Sequence, residues 1–305
     1  MTCGCNCARR PDTCDLAMTS PSSIAVALNE AERRHFREQG YLVRRILDDA
    51  AVARYVDAVD ASRRERGDTQ RMSNLQFLQP GKAIPGIQDV ICNEAILGVC
   101  RDLLGERIIV DGASLFYGEA GVDYRQGWHR DVLQVPDDQV DPNWFSEDYH
   151  YNYVQMNLSL TVDGCLWIVP GSHRRQLNAE ERALFGNTEK MAPVDGAELS
   201  EGRQLVLQPG EAVFYNNYAV HRGYGAVLKD RRITIHLGFH SAEHAPTLHF
   251  GVLDHTEYTL DYLASLEPCV REALRAHLVE RARYPEVNVF HAYHQQFLKK
   301  EFKTT

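Results

Sequence analysis

Two stretches far apart in the chain carry the residue types that bind a redox metal. The first is Gln126-Gly-Trp-His-Arg-Asp131, with His129 and Asp131; the second is Asn217-Tyr-Ala-Val-His-Arg-Gly-Tyr224, with His221. Side chains two apart on an extended chain point to one side, so His129 and Asp131 can reach the same ion. His221 would complete the set from a neighbouring strand. Two imidazoles and one carboxylate cover one face of a metal and leave the opposite positions open. That suits a ferrous ion which binds a co-substrate and dioxygen together. Beyond His221, the alternating segment Asp230-Arg-Arg-Ile-Thr-Ile-His236 puts Arg232, Thr234 and His236 on one side of a strand. A guanidinium there offers a planar fork that grips a carboxylate through two parallel hydrogen bonds.

Context selects these residues. With 13 His and 42 acidic residues in the chain, chance alone gives roughly two His-x-Asp/Glu pairs. The other pair, His255-x-Glu257, is followed only by His277, His291 and His294, in a tail that reads as helical. His129-x-Asp131 is followed by His221 in a strand-rich region. Arg232 is preferred to Arg231 because its parity matches Thr234. His173, in Pro170-Gly-Ser-His, sits on a turn and reads as structural.

The chain has 305 residues, 44% hydrophobic and 25% charged, which is ordinary for one large or two small globular domains. It is long enough to bury a core without staples. A net charge of −9 argues against nucleic acid or an anionic membrane as the main partner. No apolar run approaches the roughly 18–20 residues of a membrane span. The N-terminus shows no apolar signal-peptide core, so a cytoplasmic location is expected. Cys3, Cys5, Cys7 and Cys14 crowd the start. Their C-x-C spacing is not that of a structural zinc site, and they read as reactive thiols on an exposed tail. Cys92, Cys100, Cys165 and Cys269 lie in segments that read as core.

The elements that must position the site follow from periodicity and punctuation. Residues 1–27 have Pro11, Pro21 and no apolar period, and read as a disordered leader. Asn29 caps a helix over 30–39 that Gly40 ends. A short strand covers Tyr41–Arg44. Asp48 or Asp49 caps a second helix with Val52, Tyr55, Val56 and Val59 on one face; its end (Arg63, Arg64, Arg66) reads as solvated surface. Residues 67–88 read as a long loop of the lid or binding kind, and 89–104 as a third helix. Strands are expected at 107–117, 154–161, 165–169, 205–207, 212–215 and 232–239, with a short helix at 178–186. From about 255 to 300 the chain reads as helical, with Val270, Leu274 and Leu278 on one stripe. This predicts a single domain over 28–305: a mainly β core at about 107–240 with N-terminal and C-terminal helices around it. Residues 137–153, dense in Asp and aromatics, read as an insertion near the site, either a surface loop or a substrate wall. As a wall, with Asp141 and Trp144, it favours an amine-bearing or ring-containing substrate.

At these residues the chain resembles the phytanoyl-CoA dioxygenase family of Fe(II)/2-oxoglutarate oxygenases. Besides the triad, the resemblance rests on the opening helix with Gly40-Tyr-Leu-Val43, and on Trp128 before the first ligand. It rests further on Gly164-Cys-Leu-Trp-Ile-Val-Pro-Gly-Ser-His-Arg174, the most family-specific run, and on Pro209-Gly-Glu-Ala-Val-Phe214. It implies a double-stranded β-helix, a jelly-roll barrel with the metal in its mouth, and Fe(II), 2-oxoglutarate and dioxygen as participants, with ascorbate as a supporting reductant. Arg232 and Thr234 would bind the distal carboxylate of 2-oxoglutarate. Asn157, Gln155 and Tyr117 are further candidates to hydrogen-bond 2-oxoglutarate or substrate, a satisfied buried amide being the alternative for the first two. Related halogenases leave the position of Asp131 to a small residue. A carboxylate here therefore favours hydroxylation, or a desaturation or ring closure that begins the same way. The remaining alternative is a non-catalytic barrel that binds a metal or ligand. Many relatives carry a Lys where Gly118 and Glu119 stand, so a second anchor for 2-oxoglutarate must come from elsewhere. The substrate class expected is a free small molecule or biosynthetic intermediate.

Overall fold

The computed structural model describes residues 27–131, 139, 141, 145, 153–185, 198–243, 258–283 and 300–302. The expected leader with its four cysteines, Trp144 and most of the 137–153 insertion, and the helical reading beyond 283 lie outside these residues. Asn29 accepts from the Glu32 amide and Glu32 reaches back to Asn29, a capping box that starts α1 (Glu30–Gln39). Gly40, at φ +80°, ends it. β1 (Tyr41–Arg45) follows. Asp48 caps α2 (Asp49–Glu65), which buries Val52, Tyr55 and Val59.

The segment read as a long loop is more ordered than its composition suggests. It contains β2 (Met72–Leu75) and runs into a 3-10 helix, Pro85–Cys92. The third helix, α3 (Glu94–Leu104), therefore starts later than expected, at the Asn93 cap. Four residues, Met72-Ser-Asn-Leu75 at the sheet edge with Met72 exposed, are too few for a hydrophobic period to show. Arg63 is also not solvated surface: it is buried, and bonds Asp68 at 2.7 Å and the Gln70 carbonyl.

β3 (Ile108–Gly118), β4 (Asp123–Arg125), β5 (Tyr153–Ser159), β6 (Asp163–Ile168), α4 (Ala179–Phe185), β7 (Arg203–Leu207), β8 (Glu211–Asn216), β9 (His221–Val227) and β10 (Arg232–Ser241) complete the core. α5 (Leu260–Ser265) and α6 (Pro268–Arg283) come after it. Two antiparallel sheets result: six strands in the order β1-β8-β5-β10-β3-β2, and four in the order β4-β9-β6-β7. This is the jelly-roll arrangement expected.

Side-chain parity divides the six-stranded sheet into two faces. Ile233, Ile235 and Leu237 of β10, Leu115 of β3, and Met156 and Leu158 of β5 face the helices. There they form the main core with residues of α2, α3 and α6. Val270 and Leu274 bring α6 into it. The opposite face looks into the sandwich. Val213 and Tyr215 of β8 pack there on Leu166 and Ile168 of β6, closing one region of it. The rest is open and lined by polar groups. Among the later cysteines, Cys100 and Cys165 are buried as expected, but Cys269, near the start of α6, is exposed.

Candidate metal centre

The segment before β5 brings His129 beside the start of β9. His129 and His221 exchange both backbone hydrogen bonds, N–H to carbonyl, at 2.9 Å each. The Asp131 amide donates to the Asn217 carbonyl at 3.2 Å. These bonds carry three side chains to one point. His129 Nε2 lies 3.3 Å from one Asp131 carboxylate oxygen and His221 Nε2 3.4 Å from the other. One ligand atom of each residue falls within 4.8 Å of the others.

The tautomers are fixed from behind. His129 Nδ1 donates to the Gly127 carbonyl at 2.8 Å, and His221 Nδ1 to the Ala219 carbonyl at 2.9 Å. The Nε2 lone pairs therefore face the shared point, the outer-shell arrangement that orients imidazole ligands on metals. Two imidazoles and one carboxylate, largely buried, with a cavity in front of them, fit a divalent iron with open positions.

The Gly164–Arg174 segment supports this centre. The Ser172 hydroxyl donates to the Val169 carbonyl at 2.7 Å and accepts from the Val220 amide at 2.8 Å, one residue before His221. Arg130, between the two ligands of the first motif, donates to the carbonyls of Ser172 and Arg175 at 2.8 and 2.9 Å. His173 is wholly buried, with Nε2 3.1 Å from the Arg37 carbonyl at the end of α1. It is structural, as the turn suggested.

Arg222, next to His221, points to the other face of β9. Its guanidinium lies over the rings of Trp128 at 4.6 Å, Trp167 at 5.0 Å and Tyr224 at 4.4 Å, with Glu198 at 3.7 Å. Trp128 adjoins His129, so this cation–π contact ties the two ligand-bearing segments together a second time. Nothing in the spacing of Arg222 distinguished it from a surface arginine.

A cavity of about 210 Å³ opens in front of the triad. Arg232 lines it and is 5% exposed. Its Nε donates to Asp163 at 2.8 Å, and its guanidinium lies over the rings of Tyr124 at 4.5 Å and Phe116 at 5.2 Å. Arg231, by contrast, points outward to Asp60 at 2.9 Å. Thr234 shares this inward face but does not line the cavity: it is fully buried, and its hydroxyl donates to the same Asp163 oxygen at 2.5 Å. The Cys165 amide donates to the second oxygen at 2.8 Å. Burial alone would raise the Asp163 carboxyl, but the Arg232 guanidinium and the Thr234 hydroxyl hold it below the ordinary carboxylate range.

The other candidates divide. Asn157, Gln155 and His236 line the cavity. His236 Nδ1 meets the Asn157 side-chain oxygen at 2.8 Å, directly across the β5–β10 ladder. Tyr117 does not reach the cavity. It lies on the helix-facing side of β3, in the core, with the Arg63 guanidinium 3.7 Å from its ring centroid. Its neighbour Phe116 has the inward parity. Gly118 pairs with Arg232 in register, and a side chain there would strike Leu228 at 2.5 Å. Glu119 turns out to Arg71 at 3.1 Å. Neither position supplies the anchor that a Lys gives in relatives. Tyr153 and Tyr215 line the cavity on the metal side; burial, then nearby carboxylates, pushes both phenols far up, so they stay neutral donors. Of the 137–153 insertion, Phe145 is buried, with the Arg130 guanidinium 5.7 Å from its ring.

Among the described residues no helix is long and apolar enough to cross a membrane. No curated protein sequence matches the chain. Solved structures do, at low identity. HygX from Streptomyces hygroscopicus, with nickel and 2-oxoglutarate bound, superposes with a TM-score of 0.57 at 19% identity, covering 70% of this chain and 88% of that one. A non-heme alpha-ketoglutarate-dependent carbocyclase from nogalamycin biosynthesis, SnoK, gives 0.50 at 18%, covering 70% and 85%. ThoJ, a non-heme monooxygenase in complex with nickel, gives 0.50 at 13%, covering 82% and 97%. These likenesses establish a shared fold. The family model for phytanoyl-CoA dioxygenase matches residues 36–233, more than half of the chain and inclusive of the triad and Arg232, and the protein belongs to that family.

Proposed function

We propose that the protein is an Fe(II)/2-oxoglutarate-dependent oxygenase that hydroxylates an unactivated C–H of a small molecule. The observation that carries this reading is the pairing of two features across one cavity. At one end three ligand atoms converge, with both histidine Nδ1 protons committed to backbone carbonyls. At the other a buried arginine is held by Asp163.

His129, Asp131 and His221 would hold the iron. Iron bound there would supply oxidative decarboxylation of 2-oxoglutarate to succinate and CO2, coupled to attack on a C–H bond. The rest is the work of the chain. Asp163 engages the Nε of Arg232, which leaves the two Nη groups to grip a carboxylate side by side. Phe116 and Tyr124, in edge contact with each other at 6.5 Å, flank the guanidinium on two adjoining sides. Tyr124, which also lines the cavity, is the candidate for the second anchor that Gly118 and Glu119 do not supply. Asn157, oriented by His236, presents its amide to the space between Arg232 and the triad. The ordering of co-substrate and substrate in that space keeps solvent away from the reacting atoms.

The test is succinate formation from 2-oxoglutarate under air with Fe(II). Release that requires iron and is lost in His129→Ala supports the proposal. Release that ignores both iron and the substitution contradicts it.

A further inference from the structure

The inward face of the six-stranded sheet is graded from one end to the other. Arg232 stands opposite Gly118. Next, Phe116 stands opposite Thr234 and Asn74. In the third row His236 is flanked by Ser114 and Asn157. In the fourth Gly238 is flanked by Gly112 and Gln155, and Gln155 by Tyr215. The Tyr215 ring meets His221 at 5.1 Å, which sets this fourth row level with the metal ligands. A co-substrate held by Arg232 therefore runs from the first row past Asn157 to the Tyr215 side of the fourth. The space on the other side of that line, over Ser114 and Gly112 toward Gln76, belongs to the molecule being oxidised.

Two glycines face each other there in mid-strand. Glycine inside a strand weakens it, and marks a place where a ligand or another backbone comes close. Gly238 is covered: a side chain on it would collide with the Tyr153 hydroxyl. Gly112 is not. A Cβ there would meet only the Gly238 backbone, at 3.6 Å, and Gly112 lines the cavity. The floor beside the metal is thus bare peptide.

The walls above this floor are carboxamides and hydroxyls. Gln76, Gln155, Ser114 and Tyr153 all line the cavity. The Gln76 side-chain oxygen is buried, and no group among the described residues donates to it. A buried acceptor left so is costly, and a ligand donor would relieve it. A carboxamide donates and accepts at adjacent atoms, and a vicinal diol does the same in reverse. Among the described lining residues the only carboxylate is the metal ligand Asp131, and the only guanidinium is Arg232, already paired with Asp163.

We infer that the Gly112 floor is the substrate subsite and that it takes a neutral, polyhydroxylated ring, recognised by carboxamides rather than by charge. This rests on the oxygenase reading above. The test is binding to the full chain loaded anaerobically with Fe(II) and 2-oxoglutarate, read by perturbation of the iron-to-2-oxoglutarate absorption band. The probes are myo-inositol and methyl α-D-glucopyranoside, against D-glucosamine, D-glucuronate and D-glucose 6-phosphate. The neutral pair should bind at least ten-fold more tightly than each charged probe. Gly112→Leu, which fills the floor, should abolish the perturbation, and Gln76→Leu, on the sheet edge, should weaken it about ten-fold. The band itself reports that each variant is folded and loaded. A charged probe that binds best, no response to any probe, or an unchanged response in both variants would overturn this inference and leave the oxygenase reading standing. No band in the unmodified protein would remove the oxygenase reading itself.

Discussion

Arg232 and Asp163, 69 residues apart in sequence, meet at 2.8 Å inside the sandwich. A carboxylate beside the arginine that is meant to hold an anion looks at first like competition. The geometry argues otherwise. Asp163 is taken up by Arg232 Nε, the Thr234 hydroxyl and the Cys165 amide. It orients the guanidinium and keeps the buried cation stable before the co-substrate arrives.

Asp163→Ala should therefore raise the KM for 2-oxoglutarate about ten- to a hundred-fold, the worth of a charge-assisted hydrogen bond of about 1.5–3 kcal/mol, with a smaller change in kcat. Steady-state succinate kinetics over a range of 2-oxoglutarate concentrations separate the two. Arg232→Lys should act in the same direction, because an ammonium cannot serve Asp163 and a carboxylate as a planar fork does. An unchanged KM in both variants would place 2-oxoglutarate elsewhere.

The same pair makes stability depend on pH. The folded Asp163 pKa lies below its unfolded value. Its contribution is thus complete above the ordinary carboxylate pKa of about 3.9, and is lost as the pH falls through the depressed value. In urea titrations the stability gap between the unmodified protein and Asp163→Asn should be flat from pH 7 to about pH 5 and narrow below about pH 4. A gap that widens on acidification would contradict the assignment.

Arg222 should matter for metal binding although it touches no ligand atom. Arg222→Met removes the contact with Trp128 that joins the two ligand-bearing segments, and should weaken Fe(II) about ten- to a hundred-fold, as loss of supporting groups around a metal does. Arg222→Lys should restore little of this, since an ammonium does not stack on the indole as a guanidinium does. Equilibrium dialysis against Fe(II) under argon measures both.

Tyr124→Phe should raise the KM for 2-oxoglutarate about ten- to a hundred-fold, from a hydrogen bond to a carboxylate of about 1.5–3 kcal/mol. The ring, and its contact with Arg232, remain. No change would mean that the second anchor is another group, with Asn157 the next to substitute.

Some of this was legible in the sequence because it rests on local rules. The α1 capping box, the Gly40 stop and the Asp48 cap each need only a few consecutive residues, and the structure has them where the sequence puts them. The triad was legible from residue type, order and strand context, and the parity of Arg232 over Arg231 from the period of two. What failed depends on long-range pairing. His221 does lie on a strand as expected, but the sequence sets no bounds for β9, because Gly223 and Gly225 break its pattern; at Gly223 a Cβ would meet the Tyr124 hydroxyl at 2.4 Å. Tyr117 was placed in the site when its neighbour Phe116 has the inward parity. Thr234 is read as a 2-oxoglutarate contact because its partner Asp163, at the start of β6, is 71 residues away in the chain. One motif pair is explained only in three dimensions: at Gly40 a Cβ would meet the His173 ring at 2.5 Å. The glycine that ends α1 and the histidine of Pro-Gly-Ser-His thus require each other.

That contact gives a stability prediction. Gly40→Ala faces a positive φ and the His173 ring together, and should cost about 1–3 kcal/mol, or roughly 2–4 °C in Tm for each kcal/mol in a domain of this size. Calorimetry of the variant checks it, and an unchanged Tm would mean that the packing of His173 on α1 is looser than the structure shows.

The most direct test of the metal centre is an anaerobic titration of the protein with Fe(II) in the presence of 2-oxoglutarate, followed by visible absorption. The structure predicts one iron per chain and a metal-to-ligand band that is absent in His129→Ala and His221→Ala. In Arg232→Ala it should appear only at much higher 2-oxoglutarate. A band that survives loss of either histidine would contradict the shared site.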